Sequence, residues 1–333
     1  LVEIKFISVN PRDDERKEKG SMGKFKEKQG KMKRSNRHVY SNLYKIIGGL
    51  VITLALALVV LKMASQVSGS AIGREELLTR GHHLHSLAVL AGDPETILVG
   101  THGGLFKSAD EGKTWEVVPG DVAQTDVMGL YVHQGSDQVI YASGHDIGIM
   151  KSIDNGRSWI SLVQGLPEHP DVHAMTSNPH NSQEVYVWVV GAGLFKSSNG
   201  GERWSLISPG LARINVFSLA VHPGKPETLY AGTSAGFLVT HNGGFSWKLV
   251  KEGSPEEPLF ALLIDPENPK VIFGGTQQGM LKTVDEGLSW SPVEGIKEDV
   301  LALTRHPLEP KKFYALTARG NILKSQDGGN TWQ

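Results

Sequence analysis

Seven residues of this chain combine side chains and spacings that suit metal or acid–base chemistry. His83 and His85 flank one leucine, and Asp171 and His173 flank one valine, so each pair shares one face of an extended strand. His102, Asp126 and His145 lie in short polar stretches between apolar runs, with Asp146 beside His145. Imidazole with carboxylate is a donor set for a divalent transition metal such as zinc, iron, manganese or nickel. The same groups could exchange protons at a sugar or peptide. Asp126 and Asp171 alone could act as an acid and base pair across a gap. Singly, each histidine has a plainer explanation as a turn or solvent-facing residue. The chain has no cysteine, which excludes thiolate chemistry and disulfides.

What must position these residues is a repeat. Six segments align: SADEGKTW from Ser108, SIDNGRSW from Ser152, SSNGGERW from Ser197, THNGGFSW from Thr240, TVDEGLSW from Thr283 and SQDGGNTW from Ser325. They end at Trp115, Trp159, Trp204, Trp247, Trp290 and Trp332, which are six of the seven tryptophans, so the repeat governs the whole region. Each unit carries two alternating apolar runs, a third short run before the box and a fourth starting at the tryptophan. Four short strands per 42 to 45 residues, joined by tight turns, describe a propeller blade. The fold class is therefore all-β, a β-propeller of six four-stranded blades, or seven if the sequence continues past Gln333. Residues 72–79 are expected to lend the sixth blade its outer strand. Within each box the Ser/Thr and Asp/Asn side chains should cap a turn, and the glycine should hold positive φ. Asn199 and Asn242 replace aspartate in two boxes, which suits a turn cap and would weaken a calcium site.

Aligning the units sorts residues by face. His83, Asp126, Asp171, Asn215, Pro258 and Asp299 lead the innermost strands; two residues on come His85, Met128, His173, Phe217, Phe260 and Leu301. His102 and His145 fall in the turns after the second strands, at the same mouth of the channel. The candidate metal ligands His83, His85, His102, His145 and His173, with the candidate catalytic pair Asp126 and Asp171, thus gather in blades one to three. His133, His222 and His306 fall at the opposite end and read as turn residues.

The S/T-x-D/N-x-G-x-x-W box resembles the Asp-box, or BNR, repeat. That repeat is found in sialidases, sortilin-like receptors, xyloglucanases and photosystem II assembly factors of the Ycf48/Hcf136 type. The resemblance covers about residues 82–333 and is closest in look to bacterial membrane-anchored or secreted sialidase-like proteins of unestablished activity. It implies a propeller. A sialidase would further require an arginine triad and a tyrosine nucleophile, and no tyrosine holds a leading position here; Arg157 and Arg203 lie inside boxes, on the wrong face.

Ahead of the repeats the composition changes sharply. Residues 1–45 hold 13 Lys/Arg against 6 Asp/Glu, the pattern of a basic, disordered cytoplasmic tail. Residues 46–62 include IIGGLVITLALALVVL, an uncharged run of about 24 Å as a helix. With flanking lysines it reads as a transmembrane helix or signal-anchor in the lipid bilayer. Residues 63–81 read as a linker, and 82–333 as the propeller. The expected topology is single-pass in the cell membrane, amino terminus cytoplasmic and propeller extracytoplasmic, with secretion after cleavage as the alternative.

The leading functional expectation is a binding or assembly platform for an envelope protein, peptide or glycan on the inner-strand face, with no nucleic acid partner. A glycoside hydrolase-like enzyme using Asp126 and Asp171, and a transition-metal-binding protein using the histidines, are the alternatives. Whether the chain is an enzyme is left open between them, and one divalent transition metal is the cofactor in view.

Overall fold

The computed structural model describes residues 71–90, 96–133, 139–209 and 213–333. The chain divides into two units, Leu1–Val67 and Ser68–Gln333, and all described residues lie in the second. Among them no helix is long and apolar enough to cross a membrane. This corrects the expectation of a preceding transmembrane helix, and with it the bilayer partner and the single-pass location; residues 46–62 themselves lie outside the described residues.

Six antiparallel sheets follow in chain order. The first contains β1 (Ile72–Gly73), β2 (Leu84–Val89), β3 (Ile97–Thr101), β4 (Gly104–Ser108) and β5 (Thr114–Val117), in the spatial order β1-β5-β4-β3-β2. The helix α1 (Arg74–Gly81) joins β1 to β2. The second sheet holds β6 (Gly129–Val132), β7 (Ile140–Gly144), β8 (Gly148–Ser152) and β9 (Ile160–Ser161). The third holds β10 (Val172–Asn178), β11 (Asn181–Val189), β12 (Gly193–Ser197) and β13 (Ser205–Ser208). The fourth holds β14 (Val216–Val221), β15 (Leu229–Thr233), β16 (Gly236–Thr240) and β17 (Lys248–Leu249). The fifth holds β18 (Ala261–Ile264), β19 (Ile272–Thr276), β20 (Gly279–Thr283) and β21 (Ser291–Pro292). The sixth has β22 (Val300–Arg305), β23 (Phe313–Thr317) and β24 (Ile322–Ser325). The all-β six-bladed propeller expected from the repeats is the observed fold.

The blades hold together through apolar packing at every seam. Six buried clusters each combine residues of two adjacent blades, and one joins blade one to blade six through Leu87, Trp115, Ala302, Tyr314 and Leu316. The ring is therefore closed. Each box tryptophan sits in the seam with the preceding blade, as Trp332 does against Phe273 at 6.2 Å between ring centroids. Residues 72–79 do not complete blade six. Ile72 pairs with Trp115, adding a fifth strand to blade one, while Arg74 donates to Asn321 Oδ1 across the seam at 2.5 Å. A strand cannot continue through Arg74–Gly81 because these residues are helical, with Leu77 fully buried in the seam cluster.

The boxes are turn caps. In the first, Gly112 N–H donates to Ser108 Oγ at 2.8 Å, Ser108 Oγ donates to Asp110 Oδ1 at 2.8 Å, and Thr114 N–H also donates to Asp110 Oδ1 at 2.8 Å. Asn199 makes the same bonds, accepting from Ser197 Oγ at 2.8 Å and Arg203 N–H at 3.0 Å. The box glycines hold φ between 81° and 95°. Gly329 also leaves no room for a side chain, since a Cβ there would lie 2.3 Å from Phe273 of blade five.

Candidate metal centre

The turn between the second and third strands sets the mouth of the channel. In blade one, Thr101 Oγ1 accepts from Gly103 N–H at 3.0 Å and donates to Gly104 O at 2.9 Å, fixing the turn that carries His102. Thr233 and Thr276 make the equivalent bond in blades four and five. Blade two places Gly144 at this position, and the reason is steric: a Cβ there would lie 1.9 Å from the backbone carbonyl of Asp126. That close approach brings Asp126 under the turn bearing His145. Asp146, exposed and at φ 60°, completes the turn without joining the cluster.

Four of the six leading residues have an equivalent backbone role, in keeping with the alignment by face. His83, Asp171, Asn215 and Asp299 each accept a backbone bond from the residue following the second strand, at 2.8 to 3.1 Å. Two residues on, His85, Met128, His173, Phe217, Phe260 and Leu301 line one cavity of about 80 Å³ at the start of the channel. Its far side is apolar, with Phe217 and Phe260 packed edge to face at 5.3 Å.

Six of the seven candidate residues form two groups of two imidazoles and one carboxylate. His85, His102 and Asp126 make one, and His145, Asp171 and His173 the other, with ligand atoms in each group within 4.8 Å of one another. His85 Nε2 lies 3.6 Å from Asp126 Oδ1, and His102 Nε2 lies 3.6 Å from Oδ2. In the second group, His145 Nδ1 and His173 Nε2 lie 2.9 and 3.0 Å from Asp171 Oδ1. His145 Nε2 also lies 3.6 Å from Asp126 Oδ2, linking the groups. Each group could coordinate a divalent metal ion. His83 remains outside them, exposed and edge-on to His102 at 5.1 Å.

The polar atoms are aimed at one another without bonding. His85 Nε2, Asp126 Oδ1, Asp171 Oδ1 and His173 Nε2 are buried and make no hydrogen bond among the described residues. The His173–Asp171 approach, at 3.0 Å, is the tightest contact made by a buried imidazole of the two groups. Two ligand atoms about 2.1 Å from a shared ion stand about 3 to 3.4 Å apart; the Asp171 group at 2.9 and 3.0 Å is near that spacing, and the Asp126 group at 3.6 Å is wider. Burial pushes the His85 imidazolium down to about 3, and the neighbouring His102 and His83 reinforce it. Burial likewise lowers His173 against the opposing pull of Asp171. Both imidazoles are thus neutral near pH 7, with a lone pair to give. Burial raises Asp126 while His102, His145 and His173 oppose the shift.

Sequence reasoning gathered the histidines and aspartates but missed Gly144. Its signal was present: four second strands end in Thr101, Thr233, Thr276 and Thr317, and blade two alone ends in glycine. At the opposite end of the inner strands, His222 Nδ1 accepts from Gly224 N–H at 2.9 Å and His306 Nδ1 from Glu309 N–H at 3.0 Å, the turn roles expected of them.

No family model matches the chain, and no curated protein matches it. Solved structures do resemble it. The GH74 enzyme of Niastella koreensis superposes with a TM-score of 0.54 and 16% identity, over 76% of this chain and 47% of that one. The GH74 xyloglucanase of Xanthomonas campestris gives 0.55 and 14%, over 78% and 46%. YCF48 bound to D1 peptide gives 0.52 and 18%, over 79% and 83%. This chain spans less than half the length of those two GH74 proteins. At such identities the likeness shows the fold alone: the chain is a six-bladed propeller related to GH74- and YCF48-type folds, and a sialidase-type membership in particular is not supported.

Proposed function

We propose that this protein is a transition-metal-binding propeller whose ion sits at the channel mouth of blades one to three. The observation that carries the reading is the pair of two-histidine, one-aspartate groups whose buried nitrogen and oxygen atoms face one another unbonded. Two such sets of imidazole and carboxylate donors suit zinc, manganese, iron or nickel, and three protein donors leave open positions for water or a substrate. His85, His102, His145 and His173 are the imidazole donors of this reading, and Asp126 and Asp171 the carboxylates. The glycosidase pair is less well supported. Its two carboxyls must face an open gap of about 5 to 9.5 Å, whereas the His145 ring reaches both Asp126 and Asp171. For the binding-platform reading, fold likeness is the only support.

The test is elemental analysis of the gently purified full chain, followed by calorimetric titration with Zn²⁺ and Mn²⁺. At least one ion per chain with sub-micromolar affinity is expected. His85→Ala combined with His173→Ala should weaken binding by at least about tenfold with circular dichroism unchanged. A metal-free chain that takes up neither ion would overturn the proposal.

A further inference from the structure

The inner strands that begin at the histidines end at a second, chemically different cavity. It has a volume of about 340 Å³ and is lined by the last residues of all six inner strands. That volume is in the range of small-molecule sites, about 300 to 1,000 Å³. The wall is mixed: Leu130, Val132, Met175 and Leu262 supply apolar faces, and Thr176, Ser177 and His180 polar ones. Set into it is Arg305, the terminal residue of β22, half-buried and without an ion-pair partner among the described residues. Asp265 attracts it only from beyond ion-pair range and accepts instead from Glu267 N–H at 2.9 Å. Burial lowers Arg305 somewhat, but a guanidinium remains charged at any physiological pH. Beside it Tyr131 accepts from Ser177 Oγ at 2.5 Å, which leaves the phenolic proton of Tyr131 free to donate.

We propose that this cavity binds a small organic monocarboxylate, its anionic end held by Arg305 and the Tyr131 hydroxyl and its apolar body against the channel wall. One cation matches one negative charge, and the planar guanidinium fork matches a carboxylate in two parallel bonds. A phosphate dianion would bring a second negative charge to a lining in which Arg305 is the one arginine or lysine. The site is separate from the metal centre and does not depend on it.

The probe is hexanoate, with hexanamide as the uncharged isostere, titrated calorimetrically into the full chain. Hexanoate is expected to bind with Kd below about 1 mM and at least about tenfold more tightly than hexanamide. Arg305→Gln should remove that preference, and Tyr131→Phe should weaken hexanoate severalfold while leaving the melting temperature close to wild type. Chelator-treated protein and the His85/His173 double-alanine variant should bind hexanoate as wild type does. Equal binding of acid and amide, binding that survives Arg305→Gln, or no binding of hexanoate would overturn the proposal. So would loss of binding with the metal, because the carboxylate would then be a metal ligand, or tighter binding of inorganic phosphate.

Discussion

At the scale of single residues, the candidate centre depends on groups held in unfavourable company. Four buried imidazole and carboxylate atoms point at one another without hydrogen bonds, an arrangement that a shared cation would relieve. The unliganded chain should show that cost in acid. His85 titrates near 6.5 when unfolded and near 3 when folded, so between those values the unfolded chain takes up a proton that the folded one refuses. Stability is thus fully present above pH 6.5 and falls as the pH drops towards 3. Asp126, raised in the fold, works in the opposite sense just above its ordinary value of 3.8. Urea denaturation of chelator-treated protein at pH 7 and pH 5 should give a lower midpoint at pH 5, and His85→Leu should shrink that difference. Gly144 is the positioning residue of the centre. Gly144→Ala forces the backbone of Asp126 away, and metal affinity should fall by about 10- to 100-fold in calorimetric titration.

At the scale of elements, the box is a unit of hydrogen bonding that anchors each hairpin. Its Ser or Thr hydroxyl is buried and accepts from the backbone of the box glycine. Ser152, 1% exposed, takes Gly156 N–H at 2.8 Å and donates to Asp154 at 2.8 Å. Ser152→Ala leaves a buried N–H without its partner and should cost about 1 to 3 kcal/mol in chemical denaturation. Asp154→Asn should be much milder, because Asn199 and Asn242 already fill that position and accept the same backbone N–H, and Asn242 Nδ2 donates to Ser246 Oγ where Asp154 Oδ2 accepts from Ser158 Oγ. A large drop in stability for Asp154→Asn would show that the boxes need charge as well as geometry.

At the scale of the whole molecule, the seam between blades one and six decides whether the ring stays closed. No shared blade crosses it. The closure comes from a common apolar cluster, the α1 helix lying against it and the Arg74–Asn321 bond. Leu77 is fully buried in that cluster, so Leu77→Ala should destabilise the propeller by about 2 to 5 kcal/mol. Arg74→Ala, on an exposed side chain, should cost far less. Comparable losses from both would mean that the hydrogen bond, not the burial, holds the seam.

The amino-acid sequence by itself determined the repeat, the propeller architecture and the face on which the polar residues gather, and left six or seven blades open. These are local matters: a turn cap, a period-two apolar pattern and a fixed offset from one tryptophan to the next carry them in each unit. The positions His85, Met128, His173, Phe217, Phe260 and Leu301 could therefore be aligned before any coordinates and do line one cavity. Only the tertiary structure decided how Asp126 reaches His102 and His145, because that needs the Gly144 backbone to pass close to a neighbouring strand's carbonyl. It alone decided that Ile72 joins blade one, since strand pairing between distant segments is set by which edge is open and not by the segment's own pattern. The isolation of Arg305 has the same origin: a side chain's partners are chosen by what six separate strands bring to the axis, and no window of sequence contains them.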